Sequence, residues 1–238
     1  MAYDPVRDEI LVPNFFSFAI LTFRGDANGD VAPVRQILGT HTQLKLPQRL
    51  ALDAVHGEIF VPQGDAVLVF NRDDNGDVAP KRVLKGPDTK LGASALTIDP
   101  VHNLLIVSGG GGGEDGGDGG GGGGGRILIF DRMASGNTKP LRIISGPGVA
   151  GAALMTTIPS RGYIVAGVRK GGRSSDLGYV GIWSVFDDGN VPPRWTVGGP
   201  KGMLRDVRGV TVDEKHQMVI VSDKYVNGVL SYSFPEAF

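Results

Sequence analysis

Six charged residues in the last third of the chain could bind a ligand by their types and spacing. Arg169, Lys170 and Arg173 lie in one polar stretch, and Arg205, Asp206 and Arg208 in a second. A guanidinium offers paired N–H donors in a fixed fork that fits a carboxylate or a phosphate. The set therefore predicts recognition of a small anionic ligand or of an acidic protein segment. The plainer alternative is that these cations only solvate exposed loops; Lys201, Gln48 and Arg49 belong to similar polar stretches. Other candidates are weaker. Asp4, Asp53, Asp99 and Asp213 recur in one register, which suggests a ring of carboxylates, but each can accept turn amides in an Asx turn of its own. His56, His102 and His216 fall in successive copies of one turn, so they are too far apart to converge on zinc. Asp26–Asp30 and Asp73–Asp77 open like calcium loops, yet Ile37 and Leu84 stand where a bidentate Glu is required. The glycine-rich run 109–125 is followed by Arg126 and a strand-like stretch, where a phosphate loop needs Lys-Ser or Lys-Thr and a helix. It reads as a flexible low-complexity loop that could be deleted at little cost. No Ser-His-Asp signature, His-Glu-x-x-His or nucleophile elbow is present, so no catalytic residue, metal ligand or cofactor is assigned.

The elements that must position these residues follow from a repeat. Ala51–Val61 returns as Thr97–Val107, and part of the phrase stands at Tyr3–Val12. Asn28-Gly29-Asp30-Val31-Ala32-Pro33 returns as Asn75-Gly76-Asp77-Val78-Ala79-Pro80. In the clearest unit four short strands separate on turn chemistry, at about 50–52, 58–61, 66–70 and 81–84. The Asn-Gly pair predicts a type I′ hairpin with two positive φ values. Four strands in a row, repeating with a period in the forties, predict an all-β fold: a β-propeller of four-stranded antiparallel blades. The units run at about 1–39, 50–86, 95–146, 153–199 and 209–234, the last without a fourth strand. Five units make a closed five-bladed ring or an arc of a larger propeller, in either case a single domain over 1–238.

Bulk properties bound the partners. A formal net charge of −1 selects neither nucleic acid nor an anionic membrane. There is no apolar run of about 18 residues for a membrane span and no signal-like start, which predicts a soluble chain of open compartment and oligomeric state. The absence of cysteine removes disulfides and thiolate chemistry.

The repeat wording resembles that of the NHL and YVTN-type propellers. It has an Asp-Pro-x-x-Asn turn at 99–103, then Ile59-Phe60-Val61 or Leu105-Ile106-Val107, then Val67-Leu68-Val69-Phe70 or Ile127-Leu128-Ile129-Phe130. The resemblance covers most of the chain and implies a fold used by binding scaffolds and by enzymes alike. The leading expectation is a non-catalytic scaffold that binds through the end of the blades carrying the loops between second and third strands and between successive blades. The alternative is a small-molecule hydrolase of lactonase type. The resembling lactonases hold a metal at that end, for which Asn14, Asp65, Asp88, Asp176, Asp206, Asp223 and Asn227 are the available donors.

Overall fold

The computed structural model describes residues 1–109, 125–169 and 177–238. The glycine run between Gly109 and Gly125, together with Lys170, Arg173 and Asp176, lies outside the described residues. Among the described residues all regular structure is strand, apart from four 3₁₀ turns, and the strands form five antiparallel meanders in a five-bladed β-propeller. The first blade is β1 Ala2–Asp4, β2 Glu9–Asn14, β3 Ala19–Arg24 and β4 Arg35–Ile37. The second is β5 Ala51–Asp53, β6 Glu58–Gln63, β7 Ala66–Asn71 and β8 Arg82–Lys85. The third is β9 Ala93–Asp99, β10 Leu104–Gly109, β11 Arg126–Asp131 and β12 Arg142–Ser145. The fourth is β13 Ala152–Ile158, β14 Tyr163–Val168 and β15 Tyr179–Ser184, then a two-residue β16 Gly189–Asn190, then β17 Trp195–Gly198. The fifth has three strands, β18 Val207–Asp213, β19 Met218–Asp223 and β20 Gly228–Ser233. β6 runs two residues further than the sequence predicts, because Gly64 at φ +63 lets Gly64-Asp65 close the hairpin alone.

The first turn of each blade shows why its wording repeats. The side chain of Asp53 accepts the backbone amides of Val55 and His56, and its other oxygen meets His56 Nδ1 at 2.8 Å. Asp99 with His102 and Asp213 with His216 repeat this turn. The turn then passes through a left-handed residue at Asp8, Gly57, Asn103, Gly162 and Gln217, all with φ between 52 and 66°. The Asp and His residues are therefore parts of turns.

Period-two alternation sends neighbouring side chains to opposite seams. Ile59, Val61, Leu68 and Phe70 pack toward the first blade, on Leu11, Ile20 and Ile37. Phe60, Val67, Val69 and Leu84 pack toward the third, on Leu105, Val107, Leu128 and Phe130. The third and fourth blades meet through Ile127, Ile129 and Trp183, and the fourth and fifth through Val180, Ile182, Val219 and Val221. Four apolar cores thus join five blades; among the described residues none joins the fifth to the first.

Two polar devices reinforce the seams. One is a latch. Arg72 reaches Asp4 of the preceding blade at 2.9 Å, and Arg132 reaches Asp53 at 3.5 Å and also Glu58. In the fourth blade this position is Val185, and among the described residues Asp99 bonds its own turn and His102; at the last seam Ile158 and Phe234 share one apolar cluster. The other device is a clasp formed by the Asn-Gly-Asp phrase. Gly76 lies parallel to Ile37 of the preceding blade, Asn75 Oδ1 accepts the Gln36 amide at 3.0 Å, and Asp77 accepts the His41 amide at 2.7 Å. The type I′ expectation is corrected here. Gly76 alone takes positive φ, at +81, because Asn75 is committed to the neighbouring strand rather than to a two-residue turn.

Candidate functional site

The described site candidates gather where β14 and β19 end and β18 begins. Asp223, buried at the end of β19, accepts four backbone amides: those of Arg205 and Asp206 at 2.7 and 2.8 Å on one oxygen, and those of Tyr225 and Val226 at 2.9 and 3.2 Å on the other. One carboxylate so fixes the loop entering the fifth blade against the turn leaving β19. Arg208 sits at a β-bulge, where the register of β18 shifts between Val207 and Gly209; a bulge re-aims the side chain it carries. Arg169 is held from behind by its amide, which donates to Gly151 O at 3.0 Å. A Cβ on Gly151 would stand 2.0 Å from the carbonyl of Arg169, so only glycine fits there.

The structure brings Arg169, Asp206 and Arg208 together. Arg169 Nε donates to Asp206 Oδ1 at 3.1 Å, and Arg208 Nη2 donates to Asp206 Oδ2 at 2.9 Å. All three side chains remain partly exposed, at 35, 30 and 41 %. Partial burial opposes the charge on Asp206, but the hydrogen bond from Arg208 and the charge of Arg169 outweigh it and hold the carboxyl below its usual value. Arg205 points elsewhere, with its guanidinium 5.0 Å from the ring centre of the exposed Tyr225. Lys170 and Arg173 lie outside the described residues.

One further residue belongs here, named in the sequence with the polar stretches and not among the six ligand-binding candidates. Arg49, just before β5, donates to Ser94 O at 2.9 Å, and its guanidinium pKa is lowered by burial and then by the charges of Arg169 and Arg208. Arginines of the second, fourth and fifth blades are therefore close enough to act on one another, and two of them share the carboxylate of Asp206. The signal for Arg49 is positional: like Arg205, it stands just ahead of an innermost strand.

Among the described residues the metal-donor candidates are engaged separately. Asn14 accepts amides of its own turn, Asp65 pairs with Lys85, and Asp88 bonds Asn137. Asp206 and Asp223 are engaged as above, and among the described residues no three His, Asp or Glu side chains gather as a metal site. No helix among them is long and apolar enough to cross a membrane.

No protein-family profile matches this sequence, and no curated protein matches it. Solved structures do match. A chain in the crystal structure of a nidogen/laminin complex superposes with a TM-score of 0.67 at 15 % identity, over 99 % of this chain and 75 % of that one. A chain of hydrazine synthase from Kuenenia stuttgartiensis superposes with a TM-score of 0.61 at 12 % identity, over 92 % of this chain and 53 % of that one. The fold is that of a β-propeller repeat protein. Identities this low carry the architecture and no activity.

Proposed function

We propose that this β-propeller, of the NHL/YVTN type, is a non-catalytic binding scaffold. It engages an acidic protein segment through the end of the blades where Arg49, Arg169, Arg205 and Arg208 stand. The observation that carries this reading is the pairing of Arg169 and Arg208, from the fourth and fifth blades, with the one carboxylate of Asp206, with Arg49 of the second blade close enough to feel both charges. Asp206 is shared by two guanidinium groups, and a partner carboxylate could take over donors from it. Arg205 and Tyr225 extend the surface with a stacked cation and ring. The nidogen/laminin complex supports the reading as an instance of the fold within a protein assembly.

The test is titration of the full chain with a Glu/Asp-rich hexapeptide. Saturable binding should weaken steeply with salt, since at about 1 M the screening length falls to about 3 Å. The double variant Arg169→Glu, Arg208→Glu should lose about tenfold or more in affinity. His56→Ala, in the turns at the opposite end, should leave binding unchanged. Equal binding by the double variant, or no salt dependence, sinks the reading.

A further inference from the structure

The turns at the end of the blades away from Arg169 and Arg208 hold apolar side chains in water where the fold does not need them. Val55 and Val101 take one place in the first turn of the second and third blades, and Met133 and Phe186 take one place after the third strand of the third and fourth. They are 71, 66, 48 and 63 % exposed. In each first turn the aspartate accepts the valine's amide, from Val55 at 3.1 Å and from Val101 at 3.0 Å, so the turn uses only the valine's backbone. The same place holds Ser160 in the fourth blade and Lys215 in the fifth. Met133 and Phe186 likewise have their amides fixed from two residues back, by Asp131 Oδ1 at 2.7 Å and by Ser184 Oγ at 3.2 Å. In the second blade their place holds Asp73, paired with Arg7.

These residues alternate across two seams. Arg132 reaches Asp53 at 3.5 Å, which sets Met133 of the third blade beside the turn that carries Val55. The ring of Phe186, from the fourth blade, stands edge-on to that of His102 with 5.4 Å between centres, and so beside the turn that carries Val101. The result is one apolar arc over the second, third and fourth blades, each of which has a packed neighbour on both sides. An exposed apolar patch with a polar rim marks an interaction site. Here the rim carries carboxylates. Asp131, two residues before Met133, and Asp188, two residues after Phe186, are both exposed. Each accepts a backbone amide, which leaves its charge in place. Asp187 between them is paired with Arg194. Two arginines beside the arc are engaged within the fold: Arg132 is buried on Asp53 and Glu58, and Arg142 donates to Val185 O at 2.7 Å with its guanidinium over the Phe186 ring.

We infer that this arc is a docking surface for a basic segment of a partner protein, one in which aliphatic side chains alternate with lysine or arginine. Its aliphatic side chains lie on Val55, Met133, Val101 and Phe186, and its cations pair with Asp131 and Asp188. Those two carboxylates, flanking apolar side chains that the turns do not require, are what select a basic occupant over a neutral or acidic one. The surface lies at the opposite end of the blades from Asp206 and is independent of the arginine cluster there.

The probe is an octapeptide of alternating leucine and lysine, titrated into the full chain and followed by NMR. Saturable binding tighter than about 1 mM is expected, with shifts centred on residues 55, 101, 133 and 186. The double variant Val55→Ser, Val101→Ser should weaken it about tenfold. Serine already stands at this place in the fourth blade, so the circular dichroism and melting of the variant should match the parent. Two further octapeptides leave the protein untouched: alternating leucine and glutamate, and alternating serine and lysine, should each bind about tenfold more weakly or worse. The variant Arg169→Glu, Arg208→Glu should bind the leucine–lysine peptide as the parent does, which separates this surface from the one at the other end. Lack of saturation, shifts centred elsewhere, or equal binding by the serine variant or by either control peptide would overturn the proposal. So would self-association of the chain, or its capture by neutral phosphatidylcholine vesicles, that the serine variant abolishes, because the occupant would then be a second copy or a lipid surface.

Discussion

Glu58 shows at the scale of one residue how this fold tolerates charge inside. Burial opposes its ionisation, yet hydrogen bonds from Arg82 and Lys81 prevail and hold its pKa at about 2, against 4.5 for a free glutamate. Arg132 of the next blade completes the set. A folded-state pKa below the unfolded one stabilises the fold above the unfolded value, and that stability is lost as pH falls from about 4.5 through about 2. The shift corresponds to about 3 kcal/mol at neutral pH. Urea denaturation across pH 7 to 2 should therefore show Glu58→Gln less stable than the parent at pH 7 by an amount of that order. The gap should close toward pH 2, and a constant gap would show that the carboxylate's charge is not what stabilises the seam. The repeat of Asp and His was plain in the sequence and its structural reading holds. The partners of Glu58 were not legible, because Arg132 is 74 residues away and nothing local marks it as facing that carboxylate.

At the scale of the element, the outer strands and their clasps decide how blades stay in register. Gly86 combines φ +141 with a Cβ position 2.4 Å from Asn137 Oδ1. Gly86→Ala should thus cost about 1–3 kcal/mol in thermal or urea unfolding. Gly86→Ala in an Asn137→Ala background should recover the steric part but not the backbone part. An unchanged midpoint for the single variant would show that the clasp contributes nothing. Strand order and the missing fourth strand of the last unit were legible from turn residues and alternation. The clasp was not. Asn-Gly followed by Asp is a hairpin signal on its own, and its second use appears only when Gln36 and His41 of another blade supply the amides. The arginine cluster was half legible for a similar reason. Arg169, Asp206 and Arg208 stand on neighbouring units, whereas Arg49 comes from the second.

At the scale of the whole molecule, cohesion is a sum over seams, and a repeat array of this kind is only as firm locally as its nearest neighbours make it. Phe23, Phe70 and Phe130 hold one position in three successive blades, but Phe70 and Phe130 are fully buried and Phe23 is not. Phe130→Ala should cost about 3–5 kcal/mol, and Phe23→Ala about 1 kcal/mol or less. Similar losses would mean that the first blade's free face is covered in solution. The latches add a consequence of a different kind. Where the first two seams close with Arg72 on Asp4 and Arg132 on Asp53, the last closes with Ile158 and Phe234. The cost of dehydrating an ion pair falls on heating, while apolar association weakens on cooling. The two ends of one chain therefore have opposite thermal characters: cold loosens the fifth blade first, while heat spares the paired seams of the first blades longest.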